Sequence, residues 1–178
     1  AICVGRLEWE KGIDRLIDIW LSVHNTHPDW VLDIYGQGML QDELQQKILA
    51  ANAGTYIHLK GSSPDIMYEY LNCSLLVLTS RYEGFPMALL EAMACGVPCV
   101  TYDCPFGPRS MITNMRNGIL VEEGDKKEMV DKINYLIENE KNRKKIGTNA
   151  RKYVLQYSQK NIMDKWNILF NNCLTLTS

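Results

Sequence analysis

Two glutamates flank a turn that opens an apolar helix. Glu83 precedes Pro86, which suits the first helical position because proline lacks an N–H. Glu83 therefore lies at a helix mouth whose free N–H groups favour anions such as phosphate. Glu91 is the only polar residue in 87–94, and this all-round apolar pattern predicts a helix buried on most of its surface. A carboxylate there is either protonated, paired within the fold, or held open for a ligand that donates hydrogen bonds.

Two cations occupy a loop that follows the first apolar segment. Arg6 and Lys11 lie near the two ends of the loop 5–12, at the same predicted edge of the sheet as Glu83. Together they can neutralise a diphosphate, Arg6 through its planar fork and Lys11 as a point charge. Taken alone, such residues are more often surface charges than ligands.

The turn Gly36-Gln37-Gly38 also follows an apolar segment and invites comparison with a dinucleotide-binding fingerprint. Gln41 stands where the third glycine of that fingerprint belongs, so the motif is incomplete. Either the backbone turn approaches a phosphate or sugar, or the glycines serve only the turn.

Apolar strand segments alternate with segments of helical periodicity along the chain. This alternation predicts a Rossmann-like α/β fold with a doubly wound parallel sheet, in which ligands bind beyond the carboxyl ends of the strands. The predicted strands are 2–4, 31–35, 56–59, 75–79, 99–102 and 119–121. The predicted helices are 13–25, 40–53, 66–71, 87–94, 126–137, 142–157 and 158–173.

Length and composition predict one domain spanning 1–178, because 178 residues with 46% hydrophobic content suffice for one core. The chain opens directly into the strand 2–4, so we expect it to be cut from a longer protein whose N-terminal neighbour is missing. No apolar run approaches the roughly 20 residues of a membrane span. Six cysteines without a CxxC pair are interpreted as small buried hydrophobes in a reducing cytosol rather than as metal ligands.

Charge is distributed unevenly along the chain. Residues 1–125 hold 8 Lys+Arg against 16 Asp+Glu, whereas residues 126–178 hold 11 against 5. The basic segment is interpreted either as a surface for an anionic membrane or a charged acceptor, or as solvated faces of helices. Nucleic acid is excluded as a partner by the pI near 5.9 and the absence of a basic and aromatic cluster.

Several of these motifs occur together in one order. The combination resembles the nucleotide-sugar-binding C-terminal half of the family-4 retaining glycosyltransferases, which have the GT-B fold. The resemblance covers about residues 4–121 and, more weakly, the C-terminal helices. It is carried by Arg6 and Lys11, the Gly36-Gln37-Gly38 turn, the run from Glu83 to Pro98, Gly107-Pro108 and Asn117-Gly118.

The resemblance implies a role for each matching position. Arg6 and Lys11 would bind the donor diphosphate, Glu83 the sugar hydroxyls, and Glu91 the two ribose hydroxyls. The first three residues form the implied catalytic set. The implied substrate-binding set is Gly5, Arg6, Lys11, Gly36, Glu83, Gly84, Phe85, Met87 and Glu91.

Two regions are less well defined. Arg109 follows Pro108, where the family often has glutamate, so the role of that loop is undefined. Contacts to the nucleobase are expected near residues 61–66, without a side-chain signature.

The resemblance predicts a hexosyltransferase-type enzyme that transfers a sugar, with retention, from a nucleoside-diphosphate donor to a glycan or lipid-linked acceptor. The chain would be its donor-binding domain, inactive in transfer without an N-terminal acceptor-binding domain of the same protein. No Asp-x-Asp pair occurs, so no metal or other cofactor is expected. The predicted location is the cytoplasm, with peripheral contact to the cytoplasmic membrane face as an option. A nucleotide-sugar epimerase of similar fold and a non-catalytic nucleotide-sugar-binding module are the alternatives.

Overall fold

The computed structural model describes residues 1–175, with the backbone alone for 173–175. Its centre is a parallel sheet with the strand order β3-β2-β1-β4-β5-β6, which confirms the predicted Rossmann-like α/β class. The strands are β1 (Ile2–Val4), β2 (Leu32–Tyr35), β3 (Ile57–Gly61), β4 (Leu76–Leu78), β5 (Cys99–Tyr102) and β6 (Ile119–Val121).

Helices connect the strands and cover both faces of the sheet, as crossover connections between parallel strands require. Short 3₁₀ turns occur at Trp9–Lys11, Pro108–Ser110 and Leu155–Tyr157. The helices are α1 (Ile13–Thr26), α2 (Gln41–Ala50), α3 (Ile66–Asn72), α4 (Met87–Ala94), α5 (Lys126–Glu138), α6 (Glu140–Val154) and α7 (Gln159–Thr175).

Two helices end earlier than their periodicity predicts. α2 stops at Ala50 because Asn52 adopts a left-handed conformation with φ of 53°, and the N–H of Ala53 then bonds to the carbonyl of Ile48. α6 gives way after Val154 to the 3₁₀ turn Leu155–Tyr157. The remaining elements begin and end within a few residues of the predicted bounds.

The core lies on both faces of the central strands. β4 and β5 are buried along their whole length, as expected for strands covered by helices on both sides. α1 turns its helical-spacing residues inward, including the fully buried Trp20. Within the described residues, no helix combines the length and the apolar character needed to cross a bilayer.

The prediction that α4 is buried on most of its surface is wrong. Leu89, Ala92 and Met93 are buried, but Met87 is 54% exposed and Glu91 only half-buried. α4 therefore has a core face and an open face. Composition could not separate the two, because Met, Ala and Leu occupy both faces of this helix.

The cysteine prediction is confirmed in part. Cys3, Cys99 and Cys104 are buried, whereas Cys73 and Cys95 are half-buried, and the thiols of these five are free. The side chain of Cys173 lies outside the described residues.

Candidate functional site

The candidate site lies at the carboxyl ends of β1 and β4. These neighbouring strands lead into α1 and α4, and the strand order reverses between them, which is where doubly wound sheets open a crevice for ligands. The loop 5–12 follows β1 and the loop 79–86 follows β4. The topology therefore brings the predicted cations and the predicted carboxylate to opposite sides of one crevice.

Lys11 and Glu83 meet across this crevice. The ammonium Nζ of Lys11 lies 2.8 Å from both carboxylate oxygens of Glu83, and the Ser80 hydroxyl donates to Oε1 at 2.6 Å. Glu83 is only 6% exposed. The buried charge of the motif is thus Glu83 rather than Glu91, and it is neutralised by one of the two predicted diphosphate ligands.

Two buried cysteine thiols, Cys3 and Cys104, have pKa values that the charge of Glu83 affects. Burial, reinforced by the negative charge of Glu83 and opposed by Lys11, raises the pKa of Cys3 to about 12. Burial and Glu83 likewise raise the pKa of Cys104 to about 11. Both thiols are therefore neutral at physiological pH and are poor nucleophiles there.

Arg6 lies at the solvent side of the same loop. Its side chain is exposed and makes no hydrogen bond or ion pair with any residue in the described range 1–175. All of its N–H donors are available to an anion that enters the crevice.

The glycines of the β2 turn pack against the loop that carries Arg6. A Cβ at Gly36 would lie 1.9 Å from the carbonyl oxygen of Gly5, so this contact excludes every larger residue. The N–H of Leu7 donates to the carbonyl of Gln37 at 2.9 Å. The glycines therefore hold two loops together, and a direct contact between Gly36 and a ligand stays a prediction.

The start of α4 presents unpaired backbone donors beside Glu83. Pro86 is the residue before the helix rather than its first helical position, and no side chain caps this end. Among the described residues, nothing accepts from the N–H groups of Gly84, Phe85 and Met87. These N–H groups are therefore free at the helix start, and anion binding there stays a prediction.

Glu91 has a partner for one of its oxygens. The hydroxyl of the fully buried Tyr70 donates to Oε2 at 3.2 Å, while Oε1 accepts no hydrogen bond from the described part of the chain. Burial, followed by the charge of Glu91 and this hydrogen bond, raises the pKa of Tyr70. Glu91 therefore has one carboxylate oxygen paired within the fold and one without a partner among the described residues.

The loop after β5 covers the other side of Glu83. A Cβ at Gly107 would lie 2.8 Å from Cβ of Glu83, so the glycine allows the two loops to touch. Arg109 forms an ion pair with Asp103 at the surface. Asn117 is buried and accepts from the N–H of Thr113 at 2.7 Å, which gives it a structural role in the loop before β6.

The sequence interpretation missed several residues that assemble the crevice. Arg81 forms two hydrogen bonds with Asp14, although these residues are 67 positions apart. Arg15 donates to the carbonyl of Thr79 at 2.7 Å and pairs with Glu123. No short-range spacing marks such pairs, because the fold alone brings them together.

Comparisons with known proteins agree with this architecture. Residues 1–153 match the family model described as Glycosyl transferases group 1. The chain is 33% identical over 171 residues to the amylovoran biosynthesis glycosyltransferase AmsD of Erwinia amylovora, covering 96% of this chain and 48% of that protein. It is 32% identical over 170 residues to a poly(ribitol-phosphate) alpha-N-acetylglucosaminyltransferase of Staphylococcus aureus, covering 95% of this chain and 34% of that protein.

Solved structures show the same fold. A mutant of S. aureus TarM in complex with Fondaparinux, alpha-GlcNAc-glycerol and UDP superposes with a TM-score of 0.90 at 32% identity, over 96% of this chain and 35% of that one. The pneumococcal O-GlcNAc transferase GtfA in complex with UDP and GlcNAc gives 0.88 at 28% identity, over 97% and 35%. The chain spans about half or less of the length of the protein in each of these comparisons.

Proposed function

This chain belongs to the glycosyl transferases group 1 family, and we propose that it is the donor-binding domain of a retaining glycosyltransferase. The observation that carries the proposal is the cluster of Lys11, Glu83 and Ser80 at the crevice between β1 and β4, with Arg6 free beside it. The donor is a nucleoside-diphosphate hexose, and two similar structures that contain UDP favour a uridine donor.

Lys11 and Arg6 bind the diphosphate in this proposal. Loss of a nucleoside diphosphate leaves negative charge on phosphate oxygens, and cations that are held in place stabilise that charge as it develops. An ammonium has three donors, so Lys11 can serve Glu83 and a phosphate oxygen together. Arg6 supplies a second cation without breaking an internal contact.

Glu83 accepts from the hydroxyls of the donor sugar. Ser80 and Lys11 hold its carboxylate in one orientation, as a group that positions a sugar requires. The free N–H groups of Gly84, Phe85 and Met87 face sugar and phosphate oxygens, and Gly5 and Gly36 shape the backbone of the opposite wall.

Glu91 accepts from the ribose. Its free Oε1 and its half-buried position match a vicinal diol, which donates two hydrogen bonds to a carboxylate. Tyr70 restrains the other oxygen. In this proposal, Glu83 binds the sugar that is transferred and Glu91 binds the ribose of the nucleotide.

Metal-independent binding is part of the proposal, because Arg6 and Lys11 supply positive charge at the diphosphate. The test titrates UDP, GDP and ADP into the chain by calorimetry with chelator present. We expect UDP to bind without added metal. Binding that returns only with Mg²⁺ or Mn²⁺ would refute metal independence, and the absence of any binding would refute the donor-binding role.

Transfer is proposed to require an N-terminal acceptor-binding domain of the same protein. An acceptor hydroxyl held in attack geometry contributes roughly 7–11 kcal/mol towards the barrier, and donor binding alone does not supply that positioning. The 178-residue chain and the full-length protein are compared with labelled donor and a glycan or lipid-linked acceptor. We expect transfer by the full-length protein alone, and equal transfer by the two would contradict the division of labour.

Peripheral contact with an anionic, cytoplasmic membrane face is proposed for α6. Five exposed cations follow helical spacing along one side of this helix: Lys141, Lys144, Lys145, Arg151 and Lys152. A basic residue near an anionic surface contributes about 1 kcal/mol. We expect Lys145→Gln with Lys152→Gln to weaken sedimentation with phosphatidylglycerol vesicles, and Lys126→Gln with Lys127→Gln on α5 to have less effect. Equal effects of the two pairs would contradict a specific α6 surface.

A further inference from the structure

Backbone pairing between β1 and β4 is short. Their ladder contains a single register pair, Ile2 with Leu76, whereas β4 and β5 pair over three residues. Backbone pairing between the two strands therefore ends before the loops that carry Lys11 and Glu83. The relative position of these loops must depend on contacts outside the sheet.

Arg81 supplies several of those contacts, beside the ion pair of Lys11 with Glu83. It lies two residues before Glu83, and its guanidinium donates from Nη1 to Asp14 Oδ1 at 2.8 Å and from Nη2 to Oδ2 at 2.6 Å. Nη1 also donates to the carbonyl of Trp9 at 2.7 Å, and the guanidinium lies 4.8 Å from the centre of the Trp9 ring. The N–H of Arg81 itself donates to the carbonyl of Glu10 at 2.7 Å.

These contacts need an arginine in this geometry. A planar guanidinium matches a carboxylate through two parallel hydrogen bonds and lies flat on an aromatic ring, whereas an ammonium offers only a point charge to both groups. The hydrogen bonds from Arg81 hold the pKa of Asp14 below its usual range. Both terminal nitrogens already have partners, so Arg81 is occupied within the fold.

We propose that Arg81 and Asp14 form a clamp that sets the separation of the loops 5–12 and 79–86, and so positions Lys11 and Glu83 for the donor. Arg81 is a positioning residue that acts through its neighbours. The inference rests on the proposed donor-binding function, because it specifies how that site is held. Thr79 supports the clamp from within the crevice, where its hydroxyl donates to the carbonyl of Gly12 at 2.8 Å.

A positioning role differs from a general contribution to stability. Lys11 and Arg6 are assigned to the diphosphate, whereas Glu91 on α4 is assigned to the ribose. Opening the clamp should therefore weaken the recognition of the diphosphate more than that of the nucleoside part. The ratio of UDP affinity to UMP affinity measures this difference, and a loss of folded protein lowers both affinities equally.

The experiment measures UDP and UMP affinity for Arg81→Ala, Arg81→Lys and Asp14→Asn in the 178-residue chain. We expect each variant to lose about tenfold or more of its UDP affinity, with a change in UMP affinity below about threefold. Arg81→Lys should not retain UDP affinity, because lysine keeps the positive charge but lacks the planar guanidinium. The matched control is Arg143→Ala, which also removes carbonyl and aromatic contacts, at Leu136 and Trp30, but lies away from the crevice.

A second measurement needs no ligand. Hydrogen exchange on the ligand-free chain should show faster exchange in both loops, 5–12 and 79–86, for Arg81→Lys and in neither loop for Arg143→Ala. An unchanged UDP to UMP ratio together with unchanged loop exchange would overturn the clamp. If the wild-type chain binds no nucleotide, the donor-binding proposal fails, and the exchange data still decide whether the clamp exists.

Discussion

Glu83 and Glu91 belong to one motif but occupy contrasting environments. Glu83 lies in the loop before α4, is nearly inaccessible and accepts from Lys11 and Ser80. Glu91 lies on α4 itself, is half-buried and, among the residues that the structure describes, accepts a hydrogen bond from Tyr70 alone. The charge that the fold must neutralise is therefore in the loop, and the helical carboxylate has one oxygen that no described residue occupies.

The difference predicts opposite responses to mutation. Removing one member of a buried ion pair leaves an uncompensated charge and costs about 3–5 kcal/mol, whereas one hydrogen bond contributes about 1 kcal/mol. Changes at the Glu83 site should therefore affect folding first. Changes at the Glu91 site should affect nucleotide binding first.

The largest expected effect is that of Lys11→Met. Removal of the ammonium leaves the carboxylate of Glu83 without its cationic partner. We therefore expect a loss of about 3 kcal/mol in the free energy of unfolding, measured by urea denaturation without ligand. Adding Glu83→Gln should restore part of this loss, because residue 83 is then neutral. Lys144→Met at the exposed pair with Glu140 is the control and should leave stability nearly unchanged, because solvent screens that pair. Equal losses of unfolding free energy in Lys11→Met and Lys144→Met would contradict a special cost of leaving Glu83 without its partner.

Glu91→Gln should show the opposite pattern. It keeps a hydrogen-bonding side chain without the charge, so we expect UDP binding to weaken by about 1–3 kcal/mol with the fold retained. Calorimetry with 2′-deoxy-UDP provides the control, because the variant should lose less affinity for a ligand that lacks one ribose hydroxyl. Unchanged UDP affinity would refute the ribose contact. A large loss of ligand-free stability would favour the alternative of an internal pair.

The sequence predicted the sheet, its flanking helices and the edge at which the site lies. These features depend on periodicity and chain order, which are local properties of the residues. It did not predict the partner of Glu83, the open face of α4 or the contact between Arg81 and Asp14. Each of these depends on which side chains meet after folding, and the Lys11 to Glu83 contact spans 72 positions.

Tyr70→Phe should have a smaller effect that sharpens the interpretation of Glu91. Phenylalanine preserves the packing of this fully buried ring and removes only the hydroxyl that restrains Oε2. We expect stability to fall by about 1 kcal/mol and UDP affinity to fall by about threefold. The matched control is Tyr135→Phe, which removes the hydroxyl that accepts from Asn142 between α5 and α6, away from the crevice, and should leave UDP affinity unchanged. Equal losses of UDP affinity would show that Tyr70 has no specific role at Glu91.

The smallest expected effect concerns acid pH and the partly exposed pair of Asp14 and Arg81. Hydrogen bonds from Arg81 lower the pKa of Asp14 below its ordinary value of 3.8, so the folded state binds this proton less readily than the unfolded state does. The stabilisation is therefore complete above pH 3.8 and is lost as the pH falls through the lower pKa of the folded state. We expect a contribution below about 1 kcal/mol to the free energy of unfolding, because solvent screens the pair.

Urea unfolding of the wild type and of Asp14→Asn, followed from about pH 6 to about pH 3, should show two curves of unfolding free energy that converge at the acid end. A constant separation over that range would show that Asp14 titrates alike in the folded and unfolded chains, and that its contact with Arg81 contributes nothing that depends on charge.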